Sequence, residues 1–262
     1  MMEWMEELPE ALTPFREKLL DSKRAFIEII PTLEAPAQPW QSCFGGYPYL
    51  PKDMPFPTSP EGEHLFFLAQ INLSEVPELP PFPSKGILQF YIFDDAFFGM
   101  DPEDPFVQDH FRVVYHADVI TDRSGLQLDF SFLRDYGDLP VYPHLSSGME
   151  FEKEEEIVPL SDRFFNRHLG ADFFKQFGEL EWPLYDYYGE QASSEGHKMG
   201  GYAHFAQEDP RQEENLMLLF QMDTDAEMET MWGDMGTAKF FISEENLSRL
   251  DFSRVMFYWD AY

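Results

Sequence analysis

Cysteine is nearly missing. A single residue, Cys43, stands in 262 positions, so no intrachain disulfide can form and the core must hold without covalent staples. That usage fits a reducing compartment. Basic residues are scarce as well: 18 Lys and Arg face 49 Asp and Glu, a formal net charge of −31. Binding to phosphate backbones needs clustered cations, so nucleic acid is not an expected partner. Anionic membrane surfaces are disfavoured for the same reason. No apolar run approaches the roughly 18 residues of a membrane-spanning helix. The stretch MMEWMEELPEALTPF at the N-terminus is acidic, unlike a secretory signal or an Arg-rich transit peptide. These absences together point to a cytoplasmic protein.

Catalytic signatures are absent too. There is no Gly-x-Ser-x-Gly elbow. GGYPYLP (45–51) lacks the Lys-Ser/Thr of a phosphate loop, and Pro48 removes a backbone donor. Seven histidines are scattered without the helical His/Glu spacing of a zinc hydrolase. His197 and His204 flank the Gly200-Gly201 turn and are spaced to meet across it. Cys43 has no basic neighbour in sequence to lower its pKa, which reads as an inert buried thiol.

What is present is apolar and aromatic. Acidic chains that stay disordered are poor in such residues; here 44% are hydrophobic and 17% aromatic, with 27 Phe. The chain can therefore bury a core and carry its charge outside. Residues 9–30 read as an amphipathic helix, with Thr13 as cap, Pro14 in the first turn and Phe15, Leu19, Phe26 and Ile30 on one face. A second helix is expected over 161–178, capped by Ser161 and stopped by Gly178, and a short third over 244–250 after Ser243. The runs 64–73, 86–94, 111–120, 216–223, 238–242 and 255–262 read as strands. Sixteen of the 21 prolines lie in residues 1–105, and the aromatic-rich stretch 36–83 reads as packed loops around one strand.

Three blocks recur in order. Gly45-Gly46-Tyr47 returns as Gly200-Gly201-Tyr202, HLFFLAQINL returns as NLMLLFQMDT with Gln70 matching Gln221, and GILQFYI returns as GTAKFFI. The expected fold is mainly β (α+β), with two internally duplicated antiparallel β lobes, an N-terminal helix and a few peripheral helices. The lobes are placed at 41–148 and 149–262 after a helical segment at 1–40, together one compact domain. Glu150 to Glu156, with five Glu and one Lys, reads as a solvated linker between them.

GGYPYLPKDMPFP (45–57), FLAQINLSEVP (67–77), GILQFY (86–91), LLFQMDTD (218–225) and MWGDMG (231–236) carry a resemblance to the bacterial YwqG family. The resemblance covers most of 41–245. It implies a mainly β fold with peripheral helices and no established catalytic residues. The occurrence of some members near toxin genes suggests an immunity-like role.

Two acidic loops draw notice. In DTDAEMETMWGDMG (223–236), Asp223, Asp225, Glu227, Glu229 and Asp234 occupy positions 1, 3, 5, 7 and 12 of a calcium-loop pattern. Position 6 is Met228 where the turn needs Gly, and position 12 is the shorter Asp. The preferred reading is a solvated acidic hairpin with Trp232 packed. The alternative is a divalent cation on Asp223, Asp225, Glu227 and Asp234; no other cofactor is called for. Asp94, Asp95, Asp101, Glu103, Asp104 and Asp109 read as surface charge. Gln70, Gln221, Trp232 and Asp234 are the candidate ligand contacts, facing a cleft between the lobes. The function favoured is a non-enzymatic protein-binding module, an acidic inhibitor of a basic partner. The alternative is a small-molecule or metal-dependent enzyme. Oligomeric state is not readable.

Overall fold

The computed structural model describes residues 3–142, 144–211 and 215–262. Ten strands build one sheet. In chain order they are β1 (Arg24–Pro31), β2 (Cys43–Gly45), β3 (Phe66–Asn72), β4 (Ile87–Ile92), β5 (Arg112–His116), β6 (Ser146–Glu156), β7 (Lys198–Gly200), β8 (Leu216–Asp223), β9 (Thr237–Ser243) and β10 (Met256–Asp260). Across the sheet the order is β10-β9-β8-β7-β1-β6-β2-β3-β4-β5, with neighbours antiparallel throughout. The long pair β1–β6 sits at the centre. β2 to β5 extend from β6, and β7 to β10 extend from β1.

The sheet curls into a half-barrel. Phe90 on β4 lies 4.5 Å from Phe220 on β8 and 4.8 Å from Phe240 on β9, although these strands are distant in the sheet order. Phe111, just before β5, meets Phe257 on β10 at 5.3 Å. The concave face therefore buries one continuous core from Ile27 to Phe257. Each buried Phe stabilises by about 1.5–3 kcal/mol, against about 0–1 kcal/mol for an exposed ion pair. The aromatic interior, not the surface charge, holds the half-barrel closed.

Every residue of β3 and β4 is buried, because the convex face is covered too. Leu50, Phe56 and Leu65 from the proline-punctuated loop lie over Cys43, Phe67 and Tyr91. On the other half, Ala203 and Phe205 lie over Leu218, Phe241 and Met256. Burial on both faces explains apolar runs without polar alternation.

Helices are short and peripheral: α1 (Arg16–Leu20), α2 (Arg163–Leu169), α3 (Glu181–Gln191) and α4 (Glu244–Ser248). The N-terminal segment, α2 and α3 share a second core with Leu12, Leu19, Phe165, Phe174 and Tyr188. The expected helix after Ser243 is α4, and the Ser243 hydroxyl accepts from Asn246 N at 3.2 Å. Among the described residues no helix is long and apolar enough to cross a membrane.

Five expectations are corrected. The helix over 9–30 reduces to a 3-10 turn at Thr13–Phe15 and α1. Thr13 makes no cap, although Pro14 does sit in the first turn. From Arg24 the chain is β1, the centre of the sheet. Ile27 and Ile29 are buried with Glu28 exposed between them, so period two overrides the helical spacing of the same Phe and Ile residues. The linker expected at Glu150–Glu156 is the second half of β6, paired residue for residue with β1. Its Glu residues are poor strand formers, and backbone pairing with β1 outweighs them. The helix over 161–178 ends at Gly170, which takes φ 107°. Asp162, not Ser161, caps its start by accepting from Phe164 N at 2.8 Å. A 3-10 stretch to Leu180 and α3 follow, the latter carrying Pro183 in its first turn, where a missing N–H costs nothing. Strands β2 and β7 are three residues each, too short to register in a sequence pattern.

Candidate functional site

The two glutamines are matched structural brackets. Gln70 Oε1 accepts from Tyr49 N at 2.7 Å, and its Nε2 donates to Pro39 O and Gln41 O at 2.8 and 2.7 Å. Gln221 Oε1 accepts from His204 N at 2.9 Å, and its Nε2 donates to Ser194 O and Gly196 O at 2.9 and 2.8 Å. Each follows a β-bulge, between Phe67 and Ala69 on β3 and between Leu218 and Phe220 on β8. Both are buried, and their amides are committed to loop backbone. They secure the loops that cover the convex face, as buried polar groups must be satisfied.

Beside each bracket lies a different polar pair. Next to Gln70, Gln89 Nε2 donates to Tyr49 O at 2.7 Å and to Gln70 Oε1 at 3.0 Å. Its Oε1 accepts from Tyr91 Oη at 3.0 Å and meets His116 Nε2 at 2.9 Å. Burial pushes His116 down to about 4, so the ring is neutral at pH 7. Next to Gln221, the corresponding β9 position is Lys239, which is fully buried and ion-paired to Asp260. Burial pulls Lys239 down to about 8, against the attraction of Asp260.

The loop 223–236 is built from its own acids. Asp223 accepts from Gly196 N, Thr224 N and Thr237 Oγ1, and Asp225 accepts from Glu227 N and Met228 N. Asp225 also meets His197 Nε2 at 3.2 Å, and this bond holds its carboxyl down at about 2. Glu227, Glu229 and Asp234 point outward. Among the described residues no three His, Cys, Asp or Glu side chains gather as metal ligands. Trp232 is fully buried, edge-on to Phe98 at 5.6 Å and 6.4 Å from Trp259, with no acceptor among the described residues for its indole N–H. Of the four proposed ligand contacts, Gln70, Gln221 and Trp232 are thus interior, and Asp234 is exposed.

The other acidic loop is equally structural. Asp94 pairs with Arg134 and accepts from Gly137 N at 2.7 Å. Asp95, Asp101 and Asp104 each accept amides of their own turns. His197 turns to Asp225 and His204 to the Tyr262 hydroxyl at 3.4 Å, rather than to each other. Cys43 is buried, and burial first, then Glu75, raises its thiol to about 12. It is not a nucleophile at neutral pH.

A row of exposed negative charge lies elsewhere, on β1 and β6, and only Glu28 in it has a cation opposite, Lys198 on β7, which is itself ion-paired to Glu156. Glu28 stands directly opposite Glu152, and Glu150 and Glu154 continue the row on the same face. All four are exposed, and among the described residues none has a cation within salt-bridge distance. Beside them opens a groove of about 760 Å³ with Glu34, Glu75, Glu150 and Glu152 on its walls. Composition alone marks the Glu run; only the strand register reveals that Glu152 faces Glu28 and that Glu150 and Glu154 share its face.

Three further polar clusters have no sequence signal. Glu156, at the buried end of β6, takes Lys198 Nζ at 2.7 and 2.8 Å and Tyr202 N at 2.6 Å. Arg211 joins Asp162 and Asp209 at 2.7 and 2.6 Å, tying α2 to the chain before β8. The Gln89–His116 bond joins residues 27 apart. Each unites positions far apart in the chain, which spacing cannot show.

No curated protein matches the chain. A family model described as a domain of unknown function, DUF1963, matches residues 42–261, from the start of β2 to past β10. The chain belongs to that family.

Proposed function

We propose that the protein is a non-enzymatic binding module that holds a basic protein partner against the acidic face of β1 and β6. The observation that carries this reading is Glu28 opposite Glu152, flanked by Glu150 and Glu154. Like charges directly opposed across a strand pair destabilise the sheet. Thr or Val at these sites would be better strand residues. Lys198 opposite Glu28 offsets part of that cost but is already ion-paired to Glu156, and the exposed Glu150, Glu152 and Glu154 are completed by a cation supplied from outside the chain. Complementary charge also speeds association with such a partner and repels phosphate-bearing ones.

An immunity-like inhibitor of a basic toxin fits this chemistry, in keeping with the resemblance to the YwqG family. The same proposal includes an internal duplication. The two bulges, the two bracket glutamines and the left-handed glycine pairs Gly45-Gly46 and Gly200-Gly201 support it. So does the order of strands outward from β1–β6.

The test is capture of basic proteins by the immobilised chain at low and high salt, with an E150Q/E152Q/E154Q variant alongside. The reading expects a basic partner retained at low salt, released at high salt and not retained by the variant. Retention unchanged in a folded variant, or no basic protein bound at low salt, overturns it.

A further inference from the structure

The convex face of the first half-sheet carries a cavity of about 250 Å³. Its floor is β4 and β5, presenting Gln89, Tyr91, Val114 and His116; its roof is the segment 54–58 with Phe56. The roof is largely apolar, and the polar groups on the floor are fixed. Because Gln89 Nε2 donates to Tyr49 O and Gln70 Oε1, its Oε1 is an acceptor. His116 must then carry its proton on Nε2, leaving Nδ1 as an acceptor that no described donor reaches.

Among the described residues Arg112 supplies the only full charge on the lining. Its Nε and Nη2 both donate to Gln108 O, at 3.1 and 2.9 Å, which pins the guanidinium. Among the described residues no carboxylate pairs with it, in a chain holding 49 of them. The corresponding place in the second half-sheet is packed shut. There Phe205 stacks on Phe241, with Arg211 over both rings at 5.3 and 4.9 Å.

We infer that this cavity binds a small hydroxyaromatic monocarboxylate. The ring lies against Phe56 and Val114, the carboxylate pairs with Arg112, and the ring hydroxyl donates to His116 Nδ1. An unpaired cation beside the apolar roof of Met54, Pro55 and Phe56 selects an anionic head on an apolar body. A neutral imidazole acceptor on the floor selects a donor on that body. The site is separate from the acidic face on β1 and β6.

4-Hydroxyphenylacetate is the probe, titrated into the full chain and followed by amide chemical shifts and calorimetry. Saturable shifts are expected in residues 50–58, 89–91 and 112–116. Tyramine, the same ring with a cationic tail, should not bind there, and phenylacetate should bind more weakly. Arg112→Gln should weaken binding about tenfold or more, the scale of one charged hydrogen bond. Val114→Trp, which fills the cavity from its floor, should abolish binding. It decides the matter if the Arg112 variant fails to fold. The inference is overturned by the absence of saturable shifts, by tyramine binding as tightly as the acid, by phenylacetate binding equally well, or by a folded Val114→Trp that still binds.

Discussion

At the scale of single residues, the bracket glutamines and the buried ions carry distinct consequences. Truncating Gln70 to Ala strips partners from Tyr49 N, Pro39 O and Gln41 O in one step. Each orphaned buried group costs about 1–3 kcal/mol. Gln70→Ala and Gln221→Ala should each lower stability by about 3 kcal/mol or more, read as a shift of the urea midpoint. A much smaller effect in either would show that the loops are held by other contacts. Lys239 makes a pH prediction. Its folded value of about 8 lies below the unfolded 10.5, so above pH 8 the unfolded chain binds the extra proton. Stability from this group therefore rises with pH between about 8 and 10.5. Between pH 8 and about 9.5 the unfolded Cys43 thiol and tyrosines begin to ionise and pull stability down in any variant, so the change in urea midpoint over this range should be more positive in the native chain than in Lys239→Met. Glutamine was legible as a candidate because it recurs at the end of two apolar runs. Its role was not, since a recurring polar residue looks alike whether it faces a ligand or braces a loop.

At the scale of elements, the strand pair β1–β6 sets stability against charge. Glu152→Thr removes one member of the opposed Glu28–Glu152 pair and adds a better strand former. It should raise stability by about 0.5–1 kcal/mol while weakening retention of a basic partner. Thermal melts and low-salt capture on the same preparation would show both changes, and a variant less stable than the native chain would contradict the assigned register. The six strands expected from sequence are all present as β3, β4, β5, β8, β9 and β10, because burial on two faces leaves long apolar runs. The two central strands escaped. β1 carries both a helical and a two-residue apolar period, and β6 is mostly charged. Nothing local marks either as a strand; each is one because the other pairs with it. Charge alone therefore misled where pairing decides.

At the scale of the whole molecule, the family match and the sheet disagree about where the folded unit starts. The match begins at residue 42, yet β1 at Arg24–Pro31 lies between β6 and β7. A chain shortened to residues 42–261 loses the strand that joins the two halves and exposes two unpaired edges. It should lose the cooperative unfolding transition and aggregate, as followed by calorimetry and light scattering; a sharp native-like melt would show that β6 and β7 can close on each other directly. The place of β1 between β6 and β7 also bears on how the chain is made. Ribosomes deliver roughly 5–20 residues per second, N-terminus first. β1 emerges early but finds its first partner only when β6 arrives, more than a hundred residues later, and its second only with β7. The nascent first half thus waits with a strand-forming segment idle and the edge of β2 uncovered. Birth of this protein is a race between completing synthesis past Gly200 and unwanted pairing by its own earliest strand.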